Sequence, residues 1–206
     1  MRRVTAPSYT RLDVDERRRQ LLDASAQIFT ERPYDEVSMS AIAQRAGISK
    51  GLLYHYFSSK EELFRTTLET AARELAESIA PDPALPAAER VSASLDAFID
   101  WIEVHEASYV RLIEDGGSVA GVRELLARVR KQSAELIASE AVRGDPPRVL
   151  VTAALGWLGF ADAACIDWLR NRHMTRGQLR DLLVATLFGS LMAGASVDPS
   201  IKLDVG

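Results

Sequence analysis

The sequence predicts an all-α fold of about nine helices, with a helix-turn-helix in an N-terminal three-helix domain and a larger helical domain after it. Three observations predict this fold. Residues 38–60 read as two short helices joined by a tight turn. Apolar residues recur at helical spacing through most of the remaining 206-residue chain. Clusters of proline and glycine at positions 81–86, 116–117 and 144–147 separate these helical segments.

The helix-turn-helix is predicted from its caps and its turn. Ser38 is a good N-cap for the first helix, because its hydroxyl accepts a hydrogen bond from a first-turn N–H. Gly47 is typical of a helix end, where a residue without Cβ takes the left-handed conformation at little cost. Ser49 caps the second helix, and a connection this short swings that helix across the first. Leu53 and Phe57, four residues apart, pin the second helix to the core.

A dense polar and aromatic surface lies outside this pinned stripe. A DNA duplex offers phosphates on both sides of a major groove that admits a helix. Hydroxyl, ring N–H and ammonium groups are suitable donors to phosphate oxygens, and a glycine lets the backbone approach closely. The residues with these properties are Ser49, Lys50, Gly51, Tyr54, His55, Tyr56 and Lys60. The alternative is that the aromatic residues are ordinary packing residues on a surface helix.

Residues 41–64, AIAQRAGISKGLLYHYFSSKEELF, resemble the DNA-binding signature of the tetracycline-repressor (TetR) family of bacterial transcription regulators. The resemblance covers about residues 14–75. It implies that the second short helix is the recognition helix, and that double-stranded operator DNA is a partner. By this resemblance the DNA contacts are Ser38, Ser49, Lys50, Gly51, Tyr54, His55, Tyr56 and Lys60.

A helix is predicted from Asp13 to Glu31, with Asp13 and Glu16 as a capping box. The residues at helical spacing that are expected to form its buried stripe are Leu21, Leu22, Ser25, Ile28 and Phe29. Three arginines, at 17–19, lie near the start of this helix, where the helix dipole disfavours cations. More arginines precede them, at positions 2, 3 and 11. The cluster therefore favours an external anion such as DNA, and a solvated face is the alternative.

The charge is divided unevenly along the chain. The formal net charge is −4, but residues 1–60 hold ten Lys and Arg against seven Asp and Glu, a net of +3. Residues 61–206 hold fifteen against twenty-two, a net of −7. This asymmetry fits a DNA-binding domain at 1–60 joined to a helical ligand-binding and dimerisation domain at 61–206.

Composition argues against several other classes of protein. A single cysteine, Cys165, excludes an internal disulfide and a Cys-rich metal site, and favours a reducing cytoplasm. Three scattered histidines make metal ligation unfavourable, and no glycine-rich phosphate loop or Ser–His–Asp grouping indicates a cofactor or an enzyme. No apolar run reaches the ~18–20 residues of a membrane helix, and the N-terminus lacks the apolar segment of a secretory signal. We therefore expect a cytoplasmic protein without metal, cofactor or membrane partner.

Six more helices are predicted after the motif, at about 61–80, 87–107, 109–114, 119–142, 148–172 and 175–195. In the helix at 119–142, the residues expected to face inward are Leu125, Leu126, Val129 and Leu136. The residues expected on its solvated face are Arg123, Arg128, Arg130 and Lys131.

The last two helices differ from the others because they are apolar nearly all round. A helix that is hydrophobic on every side is expected to be buried on every side. A second copy of the chain across a two-fold axis is the simplest partner, and a helix wrapped by its own chain is the alternative. The resemblance implies the dimer, because TetR-like proteins dimerise through these two helices as a four-helix bundle. The interface residues expected are Leu155, Leu158, Ile166, Leu169, Leu183, Leu187 and Leu191.

A small-molecule effector is a further partner that the resemblance implies, bound in the core of the helical body. Trp101, His105 and Tyr109 lie four residues apart on one helical face. The next apolar helix adds aromatic and small residues. The expected ligand-binding residues are Trp101, His105, Tyr109, Trp157, Phe160, Ala161, Ala164 and Trp168. The alternative is that these aromatics fill an ordinary core. Asp162 and Asp167 are expected either at the edges of their helix or bonded across the dimer.

The sequence thus predicts a cytoplasmic, homodimeric, ligand-responsive repressor on a pseudo-palindromic operator. Repression, rather than activation, follows from the habit of the TetR family. A hydrophobic or amphipathic effector suits a largely apolar site. The competing hypothesis is a helical small-molecule binding or scaffold protein whose helix-turn-helix no longer contacts DNA.

Overall fold

A computed structural model of the chain describes residues 11–80, 82–115 and 121–204. In these ranges the chain forms nine α-helices, one 3-10 turn and no strand, which confirms the all-α class. The helices are α1 (Arg11–Glu31), α2 (Met39–Arg45), α3 (Lys50–Tyr56), α4 (Lys60–Ser78), α5 (Ala87–Val104), α6 (Glu106–Asp115), α7 (Val122–Glu140), α8 (Arg148–Asn171) and α9 (Arg176–Val197). The 3-10 turn, Tyr34–Glu36, was not predicted.

The chain divides into two compact units, a head unit (Met1–Ala71) and a body unit (Ala72–Gly206). The division lies inside α4, eleven residues after the boundary expected at 60, because α4 runs on without a break from the first unit into the second.

The head unit is built around one small apolar core. Leu21 of α1, Ile42 of α2 and Leu53 of α3 are fully buried in it. Phe57 and Leu63, on either side of the α3–α4 connection, are fully buried as well. The expectation that Leu53 and Phe57 pin α3 to the core is therefore confirmed. Burying side chains of this size contributes about 1.5–3 kcal/mol each, which is how helices of only seven residues hold their place.

The turn between α2 and α3 has the predicted chemistry. Gly47 has φ +67°, in the left-handed region, and a Cβ there would strain the backbone although the space around it is open. The N–H of Ile48 donates to the carbonyl of Ala43 at 3.0 Å, and this bond closes the end of α2. The chain then enters α3 through Ser49, two residues after the glycine.

The start of α4 is also capped. The hydroxyl of Ser59 accepts the N–H of Glu62 at 3.0 Å. The Glu62 carboxylate in turn accepts the N–H of Ser58 at 2.7 Å and the Ser58 hydroxyl at 2.6 Å. These hydrogen bonds hold the pKa of Glu62 below its usual 4.5. The return bond therefore goes to the residue before the cap, a variant of the usual capping box.

The core of the body unit is formed mainly by α8 and α9, with α5, α6 and α7 packed against them. Gly194 of α9 makes the closest approach. A Cβ at this position would lie 3.1 Å from Leu150 Cδ2 and 3.2 Å from Ala153 Cβ on α8. Gly189, on the same helix, is exposed and has open space around it.

The end of α8 is tied to the junction between α5 and α6. Arg172 caps α8 in the left-handed conformation, with φ 47°. Its guanidinium lies 4.2 Å from the Trp168 ring and donates to Glu103 at 2.7 Å and to Glu106 at 3.0 Å. These three contacts give a physical reason for a conformation that costs a residue with a Cβ about 1–2 kcal/mol.

Two predictions about α7 are wrong. Leu136 was expected to face inward and is 60% exposed, because α7 turns Ala134 and Ala138 toward the core instead. Arg130 was expected on a solvated face and instead forms an ion pair with Asp162 of α8.

Several predictions lie outside the described residues. They are Arg2 and Arg3, the break at Gly116 and Gly117, and the start of the seventh helix at Val119. The side chains of Arg11 and Asp13 also lie outside the described part, and so does the capping role expected of Asp13.

Candidate nucleic-acid interface and effector site

Both serines of the predicted DNA surface are helix caps. The Ser38 hydroxyl accepts the N–H of Ala41 at 3.1 Å, and the Ser49 hydroxyl accepts the N–H of Leu52 at 3.1 Å. Each capping bond uses a lone pair of the oxygen and not its proton. Both serines are exposed, so each hydroxyl can donate outward while it caps its own helix.

The outward surface of α3 carries the side chains that the sequence placed there. Lys50, Gly51 and His55 are exposed, and Tyr54 is 45% exposed. The Lys50 ammonium lies 5.8 Å from the centre of the Tyr54 ring. This arrangement places a cation and a phenol side by side on one helix.

Tyr56 lies differently from the other aromatic residues of α3. It is partly buried and packs against the core of the head unit. The His55 ring meets it edge-on, with ring centres 5.6 Å apart. Tyr56 is therefore a packing residue, as the alternative hypothesis held, and it also supports the exposed His55 of the predicted DNA surface.

Lys60 does not present its ammonium outward as the sequence suggested. Its Nζ donates to the carbonyl of Tyr34 at 2.9 Å and to the carbonyl of Val37 at 3.0 Å. The same nitrogen lies 4.0 Å from the centre of the Tyr34 ring. The ammonium turns inward because two carbonyls accept from it, that of Tyr34 in the unpredicted 3-10 turn and that of Val37 directly after the turn.

The arginines of α1 have partners within the head unit. Arg17 donates to Gln20 at 3.1 Å, and Arg19 to Glu16 at 2.7 Å. The Arg18 guanidinium lies 4.9 Å from the centre of the Phe57 ring. The arrangement of these three side chains therefore does not require an external anion.

A second ion pair joins α1 to α2. Arg45 donates to both carboxylate oxygens of Glu31, at 2.6 Å each. The hydrogen bonds hold the pKa of Glu31 below its usual 4.5. The bidentate pair links the last residue of α2 to the last residue of α1.

In the body unit, the two buried tryptophans of the predicted effector site are core residues. Trp157 donates its indole N–H to the carbonyl of Leu183 at 3.1 Å and to Thr186 Oγ1 at 3.2 Å. Trp168 donates to the carbonyl of Met174 at 2.8 Å. Ala161 is buried beside them, and Ala164 is partly buried.

The remaining predicted effector residues are spread over the surface and the core. Trp101 stacks on His105 with ring centres 4.4 Å apart, and His105 is exposed. Phe160 is exposed, whereas Trp157 and Ala161 of the same helix are buried. Tyr109 is buried and meets Phe98 edge-on. The structure therefore does not bring the eight residues together around one cavity.

A polar cluster, which we call the Asp162 cluster, joins α6, α7 and α8. Its members are Tyr109, Arg130 and Asp162. Tyr109 donates its phenol proton to Asp162 at 2.8 Å, and Arg130 pairs with the other carboxylate oxygen. Burial, together with the charge of Asp162, raises the pKa of Tyr109, so the phenol stays protonated and donates. Burial also raises the pKa of the neighbouring Cys165 thiol to about 12, which leaves it unreactive.

Tyr109 was predicted as an effector residue, but its hydrogen-bond partner Asp162 and the ion pair of Asp162 with Arg130 were not predicted. Asp162 bonds to residues of its own chain, an arrangement that was not predicted. A carboxylate in the middle of an apolar helix was the available signal. Its partners lie 53 and 32 residues away in sequence, too far for any periodicity to show. Asp167 is exposed, as one alternative held, and accepts a hydrogen bond from Asn171 at 2.7 Å.

Most of the predicted dimer residues are buried within their own chain. Ile166, Leu169, Leu183, Leu187 and Leu191 belong to the core of the body unit. The physical reason is that α8 and α9 pack against each other along this leucine stripe, which removes it from any partner. Of the seven residues, Leu155 is exposed and Leu158 is partly buried.

A different stripe of α8 and α9 stays exposed. It is apolar or small, carries no charge, and recurs at helical spacing. We call it the outer stripe, and its residues are Thr152, Leu155, Gly156, Gly159, Phe160, Ala163, Leu182, Ala185, Gly189, Met192, Ala193 and Ser196. Single exposed apolar residues need no explanation, but a continuous stripe is typical of an interaction surface.

By length and composition alone, α8 and α9 are apolar enough to cross a membrane, which the sequence analysis did not anticipate. Only 28% of the most apolar 18-residue stretch of α8 is buried, and only 22% of that of α9. The outer stripe is the reason for these low values, since the opposite side of each helix lies in the core.

An open, shallow depression lies on the surface of the body unit. It is lined by Glu106, Ala107, Val110, Arg111, Glu114 and Arg170. None of the predicted effector residues lies among them. In the described part of the chain, no group of three or more His, Cys, Asp or Glu side chains is placed to hold a metal ion.

Family comparisons match both parts of the chain. The family described as "Bacterial regulatory proteins, tetR family" matches residues 21–67. The family described as "Tetracyclin repressor-like, C-terminal domain" matches residues 87–190. The two matches cover the helix-turn-helix and nearly all of the body helices.

Individual relatives point the same way. An HTH-type transcriptional activator, FasR of Mycolicibacterium smegmatis, is 41% identical over 50% of this chain and 48% of its own length. The chain thus spans about half of that relative. The HTH-type transcriptional regulator BetI of Escherichia coli is 30% identical over 75% of this chain and 81% of its own. A crystal structure of a tetR-family regulator from Streptomyces coelicolor superposes with a TM-score of 0.78 at 29% identity, over 90% of this chain and 85% of that one.

Proposed function

Because the chain belongs to the tetR family of bacterial regulatory proteins, we propose that it is a homodimeric repressor released from its operator by a small effector. That the chain is a DNA-binding transcription regulator, and not an enzyme, follows from the family itself. The proposal concerns the dimer, the contact residues, the effector and the direction of regulation. Its place of action would be the cytoplasm, where bacterial DNA lies.

The observation that carries the DNA-contact proposal is the outward surface of α3. Lys50, Tyr54 and His55 are exposed on a helix whose other side is fixed by the buried Leu53. A rigid helix with exposed donors fits the major groove. Ser38 and Ser49 add hydroxyl donors, and Gly51 adds a position with no side chain. Tyr56 would act mainly by supporting His55.

The outer stripe supports the dimer proposal. Met192 of α9 is 65% exposed, and the large apolar side chains of Leu155 and Phe160 on α8 are 39% and 41% exposed. Covering such side chains is favourable by roughly 25 cal/mol per Å² of apolar surface. A two-fold axis would set the stripe against its own copy as a four-helix bundle. This replaces the leucine stripe of the original prediction.

A dimer of this kind would present two copies of α3 to a pseudo-palindromic site. Half-sites about 34–36 Å apart lie one turn of DNA from each other. Any change in the body that alters this separation would weaken the fit to DNA. An effector that favours the altered state would release the operator, and DNA would weaken effector binding by the same factor.

The effector site is proposed in the body core beside the Asp162 cluster. Tyr109, Trp157, Ala161 and Trp168 are the predicted residues buried there, with Ala164 at the margin. A largely apolar surround with a few polar groups suits a small hydrophobic or amphipathic molecule. Because this core is closely filled, the effector would have to displace packed side chains to enter.

The proposal is tested with a duplex that the wild-type protein selects from a random-sequence pool. We expect the selected sequence to be two-fold symmetric and its binding to fall steeply with salt. Tyr54→Ala should weaken binding of the dimer by about fivefold to 150-fold, since each protomer loses one hydrogen bond worth roughly 0.5–1.5 kcal/mol. Gln27→Ala, which alters an exposed residue of α1, is the matched control and should bind as the wild type does.

Failure to select any duplex would contradict the DNA-binding proposal and favour the competing hypothesis of a helical small-molecule binding protein. Unchanged binding by Tyr54→Ala would contradict its assigned contact. Transcription in vitro from a promoter that overlaps the selected site decides the direction of regulation, and an increase on adding the protein would contradict repression.

A further inference from the structure

We propose that Lys60 is a positioning residue of the DNA-binding surface, which fixes the start of α2 and acts on DNA through Ser38 without contacting phosphate. This inference rests on the proposed DNA contact of Ser38. It assigns Lys60 a role different from the phosphate contact expected from the sequence.

Lys60 is the first residue of α4 and lies directly after the chain that leaves α3. Its ammonium bonds to the carbonyl of Tyr34, in the 3-10 turn, at 2.9 Å and to that of Val37, directly after the turn, at 3.0 Å. The face of the Tyr34 ring lies 4.0 Å away on another side of the same nitrogen. A compact ammonium with three donors suits this site, where carbonyls and a ring surround one point charge.

The 3-10 turn leads directly into α2. Val37 precedes Ser38, and Ser38 caps α2 through Ala41. The two carbonyls held by Lys60 therefore lie one and four residues before the cap. Through these bonds Lys60 connects the start of α2 to the chain segment that directly follows α3. It fixes the distance between the Ser38 hydroxyl and the side chains of α3.

Aromatic packing of the Tyr34 ring also holds this arrangement in place. Its centre lies 4.9 Å from that of Phe64 and 6.1 Å from that of Phe29. Phe64 belongs to α4, the helix that Lys60 begins. The turn and the start of α4 therefore meet through an aromatic contact as well as through the ammonium. For Lys60 to reach a phosphate, it would have to give up two charge-assisted hydrogen bonds and the ring.

A phosphate contact and a positioning role differ in their salt dependence. Each neutralised phosphate contributes about −0.9 to the slope of log K against log salt concentration. Removing one contact from each protomer of a dimer would therefore lessen the slope by roughly 1.8. Removing a positioning residue lowers affinity at every salt concentration and leaves the slope unchanged.

The experiment uses Lys60→Met in the full-length protein, with the duplex that the wild-type protein selects from a random-sequence pool. We expect affinity to fall roughly tenfold, since two hydrogen bonds that hold the turn are lost, with the slope unchanged. Lys202→Met, which removes an exposed lysine of the body unit, is the control for loss of charge. A slope lessened by about 1.8 in Lys60→Met alone would overturn the proposal.

A double-mutant cycle separates positioning from general loss of stability. If Lys60 acts through Ser38, then Ser38→Ala should weaken binding in the wild-type background and have little further effect in Lys60→Met. Ser49→Ala, the matching cap of α3, should weaken binding by the same factor in both backgrounds. Equal additivity for the two serines would overturn the proposal, because a merely destabilised head unit treats them alike.

Lys60→Arg serves where Lys60→Met is partly unfolded at the assay temperature. A guanidinium preserves a phosphate contact but is too long and planar to sit between these two carbonyls. We expect Lys60→Arg to bind at least fivefold more weakly than the wild type, and wild-type affinity would overturn the proposal. If the wild-type protein binds no duplex, the DNA-binding proposal itself fails, which is a different result from any of these.

Discussion

The phenol of Tyr109 donates a 2.8 Å hydrogen bond to Asp162, a carboxylate in the middle of the most apolar helix of the body unit. Arg130 pairs with the other oxygen, so three helices meet at one charge. The Asp162 side chain is 19% exposed and that of Arg130 41%. Asp162 therefore depends on its partners more than Arg130 does, because Arg130 can return to water and Asp162 cannot.

Asp162→Ala should destabilise the protein by about 1–3 kcal/mol, since the substitution leaves the buried Tyr109 hydroxyl without its acceptor. The free energy of unfolding in urea measures the loss. Asp167→Ala, five residues along the same helix and exposed, should change it by about 0.5 kcal/mol or less. Equal effects of the two substitutions would contradict the assigned importance of the cluster.

How far the sequence predicts this molecule depends on how local each signal is. Gly47, the caps at Ser38 and Ser49, and the buried Leu53 and Phe57 follow from neighbours within a few residues, and all were confirmed. The helix bounds were predicted to within about three residues wherever both ends are described. Local rules were sufficient there because propensity, caps and core pattern agree.

The predictions that failed at Lys60 and Arg130 involve partners distant in sequence. Lys60 turns inward because of carbonyls 26 and 23 residues away, and Arg130 because of a carboxylate 32 residues away. The apolar composition of α8 and α9 predicted that both helices would be buried on every side. It did not show that the leucine stripe faces the chain's own core and that the outer stripe, with Leu155 and Met192, stays exposed.

Gly194→Ala should destabilise the body unit by about 1–3 kcal/mol, because a new Cβ would lie 3.1 Å from Leu150 and 3.2 Å from Ala153 in the closely packed α8–α9 contact. Gly177→Ala on the same helix is the control, since a Cβ there meets nothing within 4 Å. Alanine's higher helix propensity should make that variant neutral or slightly more stable. Thermal unfolding followed by circular dichroism compares the two, and equal loss in both would show that crowding is not the cause.

The hydrogen bonds from Ser58 to Glu62 predict part of the acid sensitivity of the head unit. They hold the pKa of Glu62 below 4.5, so the folded state binds this proton less readily than the unfolded chain. The stabilisation is present above pH 4.5 and is lost as the pH falls through the lowered folded-state value. We expect Glu62→Gln, which keeps an acceptor but not the charge, to show a smaller fall in melting temperature between about pH 5 and pH 3.

The control for this pH prediction is Glu61→Gln at the neighbouring, exposed position, which should keep the wild-type dependence. If Glu62→Gln and the wild type lost melting temperature in parallel as the solution is acidified, the hydrogen bonds from Ser58 would not be a source of the acid sensitivity.

The outer stripe predicts where a substitution should separate the proposed dimer. Met192→Arg places a charge on the stripe, and burying it without a partner would cost several kcal/mol, so we expect the protein to become monomeric at micromolar concentration. Leu136→Arg is the matched control, because Leu136 is similarly exposed but lies on α7, away from the stripe. Analytical ultracentrifugation measures the mass of each variant, and both should keep the wild-type helical content.

The Met192→Arg monomer should also bind the selected duplex more weakly and with a smaller salt slope, because each molecule then engages only one half-site. A Met192→Arg protein that remained dimeric would place the interface elsewhere, and a Leu136→Arg monomer would place it on α7.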